Sequence, residues 1–159
     1  MSLSKSDTST SVDWDSYRRA VEALLELVKG DALAEIAGVL AKAGKVYVLG
    51  NGGSQANASH LSLHLQEVGL QARDIHAELP LLTAWSNDHD YSTLALNALR
   101  RQAAIDDALV VITGSGDSPN ILVALAEARR IGMHTIGLLG FGGGAAQGLC
   151  DLGVALPSH

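Results

Sequence analysis

Short β-branched runs alternate with segments of helical periodicity along most of this chain, and glycine-rich loops join them. That alternation is the pattern of a parallel sheet covered by helices on both faces, because parallel strands need crossovers and the crossovers bury both sides. The pattern predicts strands at Lys45–Leu49, around Arg73–His76, at Ala108–Ile112, at His134–Leu139 and at Leu152–Leu156. Helices are expected at Ser54–Val68, about Leu81–Ser86, Tyr91–Gln102, Pro119–Ile131 and briefly near Ala145–Leu149. Hydrophobic residues make up 47% of the 159, enough for one core, while only 4% are aromatic and 17 are glycine. The expectation is one small-residue α/β domain with many tight turns.

Two helices precede the sheet. Trp14, Tyr17, Val21, Leu24, Leu25 and Val28 recur at helical spacing, with Arg18, Arg19, Glu22 and Glu26 opposite them. An apolar stripe of this length reaches beyond one domain's own core and predicts a homo-oligomer. Asp31 is placed to cap a second helix carrying Leu33, Ile36, Ala37 and Leu40, which Gly44 ends. Residues 1–12 are Ser/Thr-rich without periodicity and read as a disordered tail, with 13–159 as one domain.

Several function classes are disfavoured. Eleven Lys and Arg against 17 Asp and Glu leave a net charge of −6, without the basic excess that direct nucleic-acid binding uses. Cys150 is the single cysteine, so neither a disulfide framework nor a cysteine-based metal cluster is available, and a cytoplasmic protein is expected. No apolar run approaches the roughly 18 to 20 residues of a membrane span.

Chemistry concentrates in three loops that follow strands: Gly50-Asn51-Gly52-Gly53-Ser54, Thr113-Gly114-Ser115-Gly116-Asp117-Ser118 and Gly140-Phe141-Gly142-Gly143-Gly144. In an open parallel sheet, ligands bind beyond the carboxyl ends of strands, where helix N-termini offer unpaired N–H groups. Glycine lets backbone approach an anion, and Ser54, Ser115 and Ser118 add hydroxyl donors, a combination that suits a phosphate monoester. Ordinary turns and N-caps use the same residues, and that plainer reading stands beside it. There is no Gly-Lys-Ser or Gly-Lys-Thr of a P-loop. Gly140, Gly142 and Ala145 fit a relaxed dinucleotide fingerprint, but its acidic partner, expected about 20 residues on, would fall past the end of the sequence.

Asn57, His60 and His64 follow the first loop at spacings that put all three on one helix face. Imidazoles at i and i+4 can hold one divalent ion such as zinc, although a tetrahedral site needs further ligands. A polar helix face or a subunit contact is the alternative. Trp85-Ser86-Asn87-Asp88-His89-Asp90-Tyr91 is dense in groups that bond sugar hydroxyls, yet Asp88 or Asp90 can equally start the next helix. His76, His134 and Cys150 give no specific signal.

Together these motifs resemble the sugar isomerase (SIS) domain family, and within it the phosphoheptose isomerase group. The resemblance rests on Val46-Tyr47-Val48-Leu49-Gly50-Asn51-Gly52-Gly53-Ser54 with Asn57 and His60, and on Thr83-Ala84 and Asn87-Asp88. It continues through Ile112-Thr113-Gly114-Ser115-Gly116-Asp117-Ser118-Pro119-Asn120, Gly132-Met133 and Ile136-Gly137-Leu138. What it implies is a flavodoxin-like five-stranded parallel sheet, a homotetramer built on the two N-terminal helices, and a sugar phosphate held between protomers. It also implies interconversion of sedoheptulose 7-phosphate and an aldoheptose 7-phosphate, with zinc. Carried over to this chain, Gly52, Gly53, Ser54, Thr113, Ser115 and Ser118 would form the phosphate loops. Asn51 and Asp88 would meet the sugar, with Asp88 a catalytic candidate, and His60 would ligate the metal.

Two departures stand out. His64 occupies the place of a family glutamate assigned as base and metal ligand, so His64 becomes the catalytic and metal candidate here; Asn97 stands where an arginine is usual. Family members also continue past the segment matching Leu156-Pro157-Ser158-His159 into a final helix that brings a Gln and a His to the site. A non-enzymatic branch, the DnaA-associating regulator of replication initiation, shares the fold, lacks the glutamate, and has an Ala-Asn like Ala56-Asn57. The classes in competition are therefore an isomerase, a phosphosugar sensor and a tetrameric adaptor; Gly53 points to the first, His64 and the short C-terminus to the others.

Overall fold

The computed structural model describes residues 13–28 and 30–157. The tail expected at residues 1–12 lies outside the described residues. Five parallel strands form one sheet in the order β2-β1-β3-β4-β5: β1 Val46–Gly50, β2 Ala72–Asp74, β3 Ala108–Thr113, β4 His134–Leu139 and β5 Leu152–Ala155. The helices are α1 Trp14–Leu27, α2 Gly30–Leu40, α3 Gly52–Glu67, α4 Leu79–Asp88, α5 Leu94–Gln102 and α6 Pro119–Ile131. Short 3-10 segments at Tyr91–Thr93 and Phe141–Leu149 complete the order.

Period-two alternation along the strands sorts the core onto two faces. Val46, Val48, Ala108, Val110 and Ile136 meet Ile36 and Leu40 of α2 and Ala58 and Leu65 of α3. Tyr47, Leu49, Leu109 and Val111 meet Ala95 and Leu99 of α5 and Ile121, Leu125 and Ala128 of α6. The central strands β1 and β3 are apolar at nearly every position because both of their faces are covered.

Strand order fixes where a ligand can sit. From β1 the chain crosses through α3 to β2 on one side, and from β3 through α6 to β4 on the other. Crossovers of one hand put α3 and α6 on opposite faces, so a crevice opens between β1 and β3 at their carboxyl ends.

Most expected elements appear within a residue or two of their predicted bounds, and β4 and α6 match at both ends. Three readings change. Asp31 does not cap α2, which already begins at Gly30; it lies in the first turn, where its charge suits the helix dipole. The helix expected at Tyr91–Gln102 starts as a 3-10 turn capped by Asp90, which accepts from the Ser92 N–H at 2.7 Å. The short helix near Ala145–Leu149 is of 3-10 type and follows a kink at Gly142, Gly143 and Gly144, whose backbone is non-helical with positive φ.

Helix α1 is capped as its sequence implies: the Asp13 carboxylate accepts from the Asp15 and Ser16 N–H groups at 3.1 and 3.2 Å. Its apolar face does not fold back onto the sheet. Trp14, Tyr17 and Leu25 are 70%, 60% and 65% exposed.

Candidate functional site

The helices α3 and α6 begin at the ends of the adjacent strands β1 and β3, and neither first turn receives a side-chain cap from its N-cap residue, Asn51 or Ser118. Both turn the positive end of the dipole towards the crevice; α3 adds unpaired N–H groups and α6 that of Asn120, because Pro119 has none and the Ile121 N–H is bonded to the Ser118 carbonyl. The carboxyl end of β1 can turn this tightly because Gly50 carries no Cβ, which would lie 2.7 Å from the Ser54 backbone.

Asn51 spends its side chain elsewhere. Its Nδ2 donates to Asn120 Oδ1 at 2.9 Å, and its Oδ1 accepts from Asn120 Nδ2 at 2.8 Å and from the Tyr91 hydroxyl at 2.8 Å. Behind the first loop, Gln55 Oε1 accepts from the Gly50 N–H while its Nε2 donates to Asp74 at the end of β2, at 3.0 and 2.7 Å. The loop is thus held by side-chain amides at both ends.

The second loop is held by short-range side-chain oxygens and by backbone packed on backbone. Thr113 Oγ1 accepts from the Gly116 N–H at 3.2 Å and Ser115 Oγ from the Asp117 N–H at 3.3 Å, which leaves both O–H groups to donate outward. The third glycine loop packs directly against it. A Cβ on Gly116 would lie 1.9 Å from the Gly143 carbonyl oxygen, and one on Gly144 would lie 2.3 Å from that of Ser115. Ala146 N–H donates to the Gly116 carbonyl and Ala145 N–H to Asp117 Oδ1, both at 2.9 Å. Gly140–Gly144 is therefore a brace for the second loop, and its partial likeness to a dinucleotide fingerprint has no counterpart in this packing.

Of the predicted residues, Asn51, Gly52, Gly53, Ser54, Thr113, Ser115 and Ser118 lie on the two loops that end β1 and β3. Gly52, Gly53 and Ser115 are exposed, Ser54 and Ser118 half-buried, and Thr113 buried. A cavity of about 370 Å³ opens beside Ser54, Thr113 and Gly114, walled by Leu33, Ile112, Leu138, Val154 and Leu156. Those walls offer no partner to a polyol, so hydroxyl recognition has to come from elsewhere on the rim or from another copy.

His60 and His64 sit two turns further along α3, both exposed, with ring centroids 4.4 Å apart. His64 Nδ1 lies 2.8 Å from Glu67 Oε2, a neighbour the sequence reading passed over although i, i+3 spacing would have found it. Two imidazoles have the right chemistry for zinc, but among the described residues no group of three His, Cys, Asp or Glu is arranged to hold an ion. The pair by itself is therefore short of a tetrahedral ligand set. Asp88 lies exposed at the end of α4, accepting from the Asn87 amide at 2.9 Å.

No role was legible in the sequence for Gln55 or Asp74, and Tyr91, Asn120 and Asp117 fell within motifs without their partners. Their partners are 19 to 69 residues distant, apart from the local contacts, and no periodic pattern marks such pairs.

A doubly wound parallel sheet with two helix N-termini at its switch point defines the class of the domain as open α/β, and the chain belongs to the SIS domain family, whose model matches residues 15–140. It is similar to phosphoheptose isomerases. Identity to the one from Desulfovibrio desulfuricans is 41% over 131 residues, covering 77% of this chain and 62% of that protein. To the one from Pelobacter propionicus it is 34% over 159 residues, covering 92% and 84%. The structure of a phosphoheptose isomerase from Francisella tularensis superposes with a TM-score of 0.83 at 32% identity, over 91% of this chain and 83% of that one.

Proposed function

We propose that this chain binds the phosphate of a sugar phosphate between its first two glycine loops and acts as a phosphoheptose isomerase-like domain on sedoheptulose 7-phosphate. The observation that carries the reading is the pair of uncapped N-termini, α3 and α6, meeting at adjacent strand ends with the hydroxyls of Ser54, Thr113, Ser115 and Ser118 around them. A dianionic phosphate answers several N–H donors at once, which a neutral ligand does not.

Isomerisation moves a proton between adjacent carbons through an enediol and needs a base within hydrogen-bond reach of the substrate. His64 is the candidate base, with Glu67 bonded to its Nδ1 and so able to fix the tautomer that leaves Nε2 as the basic nitrogen. Asp88 is the candidate for contact with the sugar hydroxyls. Zinc held by His60 and His64, completed by ligands from a second copy, is the proposed cofactor; such an ion supplies Lewis acidity towards a carbonyl. With zinc on Nε2, His64 no longer has a free nitrogen for the proton, so metal binding and base catalysis by His64 compete.

His64 in the place of the family glutamate favours a second reading, a non-catalytic phosphosugar sensor or adaptor. Metal content by elemental analysis, paired with sedoheptulose 7-phosphate turnover by wild type and His64→Ala, decides between them. Turnover that His64→Ala abolishes in metal-free protein supports His64 as base. Bound zinc with tight phosphosugar binding and no turnover supports the sensor.

The exposed face of α1 supports a homo-oligomer, which we place at four chains in the cytoplasm. Light scattering at micromolar concentration tests it; a monomer mass would remove the oligomer.

A further inference from the structure

Asn120 is 4% exposed, yet its side chain makes no bond within its own helix; it reaches across the crevice to the loop after β1. The two amides form a closed ring of two hydrogen bonds, 2.9 and 2.8 Å, that ties the first residue after β1 to the second residue of α6. Asn51 gives up an N-cap bond to do so, although asparagine is among the favoured capping residues and such a bond contributes about 1 kcal/mol. A side chain placed where capping was available, but used for a long-range pair, is serving the spacing of the two loops.

Both lone pairs of Asn51 Oδ1 are taken, by Asn120 Nδ2 and by the Tyr91 hydroxyl, and one of the two Nδ2 hydrogens is spent on Asn120. A single N–H remains, and the ring fixes its direction. Asn51 can therefore only donate to a ligand, and the ligand atom it meets must be an oxygen acceptor such as a phosphate or carbonyl oxygen. The Tyr91 ring lies beside that of His76, with centroids 5.8 Å apart.

We propose that Asn120 is a positioning residue: through the reciprocal amide pair, steadied by Tyr91, it fixes Asn51 and the separation of the two loops that clasp the sugar phosphate. This rests on the phosphate-binding reading above and adds to it a residue that acts through another.

Calorimetry with sedoheptulose 7-phosphate and with inorganic phosphate tests the proposal on wild type, Asn120→Leu, Tyr91→Phe, Asn51→Ala and the Asn51→Ala/Asn120→Leu double variant. Asn120→Leu should weaken both ligands about tenfold or more, and Tyr91→Phe, which keeps the ring packing, about threefold. Because Asn120 acts through Asn51, the double variant should bind no more weakly than Asn51→Ala alone, a non-additivity that a purely structural role would not produce. Should Asn120→Leu fail to fold, Asn120→Asp keeps the shape, removes the donor to Asn51 Oδ1, and is expected to weaken binding at least as much. Losses that add in the double variant, or unchanged affinity in Asn120→Asp and Tyr91→Phe, overturn the positioning role. Ser115→Ala and Ser54→Ala are the controls. If these weaken phosphate binding while the Asn120 variants do not, only the positioning role falls; if these too leave it unchanged, the phosphate reading falls and takes the proposal with it.

Discussion

The two strand–loop–helix units at the crevice look alike in sequence, each a glycine-bearing loop between a β-branched strand and a helix, but they are built differently. The first loop is held by side chains: Asn51 to Asn120 and Tyr91, and Gln55 to Gly50 and Asp74. The second is closed locally by Thr113, Ser115 and Asp117 and is pressed, backbone on backbone, against Gly143 and Gly144 so closely that no Cβ fits between. A side-chain tether can relax when one partner changes, whereas a backbone contact at 1.9 Å from a would-be Cβ cannot. The first loop is therefore the adjustable half of the site and the second the rigid half.

Glycine substitutions are the harshest way to break that comparison. Gly116→Ala combines a φ of 73° with the Gly143 clash and should destabilise the protein by about 3 kcal/mol and abolish phosphate binding. Gly52→Ala has a φ of 54° but open space around it, and should cost only about 1 kcal/mol. Urea unfolding of both variants reads the difference, and equal losses would show that the brace adds nothing.

Hydroxyl deletions come next. Ser115→Ala should weaken inorganic phosphate binding about tenfold, since a hydrogen bond to a charged group contributes roughly 1.5 to 3 kcal/mol. Ser54→Ala should lose less, because the tethered loop can resettle around the anion. Calorimetry on both variants settles the order, and a larger loss at Ser54 would invert it.

Acid should separate the two halves. Burial holds the His76 imidazole below its ordinary value of 6.5, against the opposing pull of Asp74, so the folded state resists protonation there. A group with a lowered folded value contributes stability that is present above 6.5 and lost as the pH falls through the lowered value. His76→Leu should flatten the slope of stability just below pH 6.5, and an unchanged slope would show that His76 does not set it.

On α6, Glu127 is held down to about 2 by hydrogen bonds from Arg130 and Arg100. Its contribution is complete above its ordinary value of 4.5 and disappears as the pH falls from there to about 2. Glu127→Gln should therefore narrow the gap between neutral and pH 3 stability, measured by thermal melts at each pH. Of these effects it is the smallest, because both arginines are more than half exposed to solvent.

What the sequence determined by itself is the local and periodic part. Full-length apolar runs such as Leu109-Val110-Val111-Ile112 could only be strands covered on both faces, and Pro119 with Gly132 set both ends of α6. The position of the loops was equally legible, because glycine and serine between a β-branched run and a helix start mark a strand–helix junction within five or six residues. The part played by the third glycine loop was not legible: that Gly143 and Gly144 lie against Gly116 and Ser115 follows from β3 and β4 being neighbours, which composition does not encode. Asp31 was misplaced for a smaller reason, since a residue that suits a cap suits a first turn as well. Tertiary structure alone decided that Asn51 faces Asn120 from 69 residues away, that Tyr91 joins them, and that the apolar face of α1 stays off its own sheet. Periodicity reports which face of an element is buried; only the packed chain chooses what lies opposite that face.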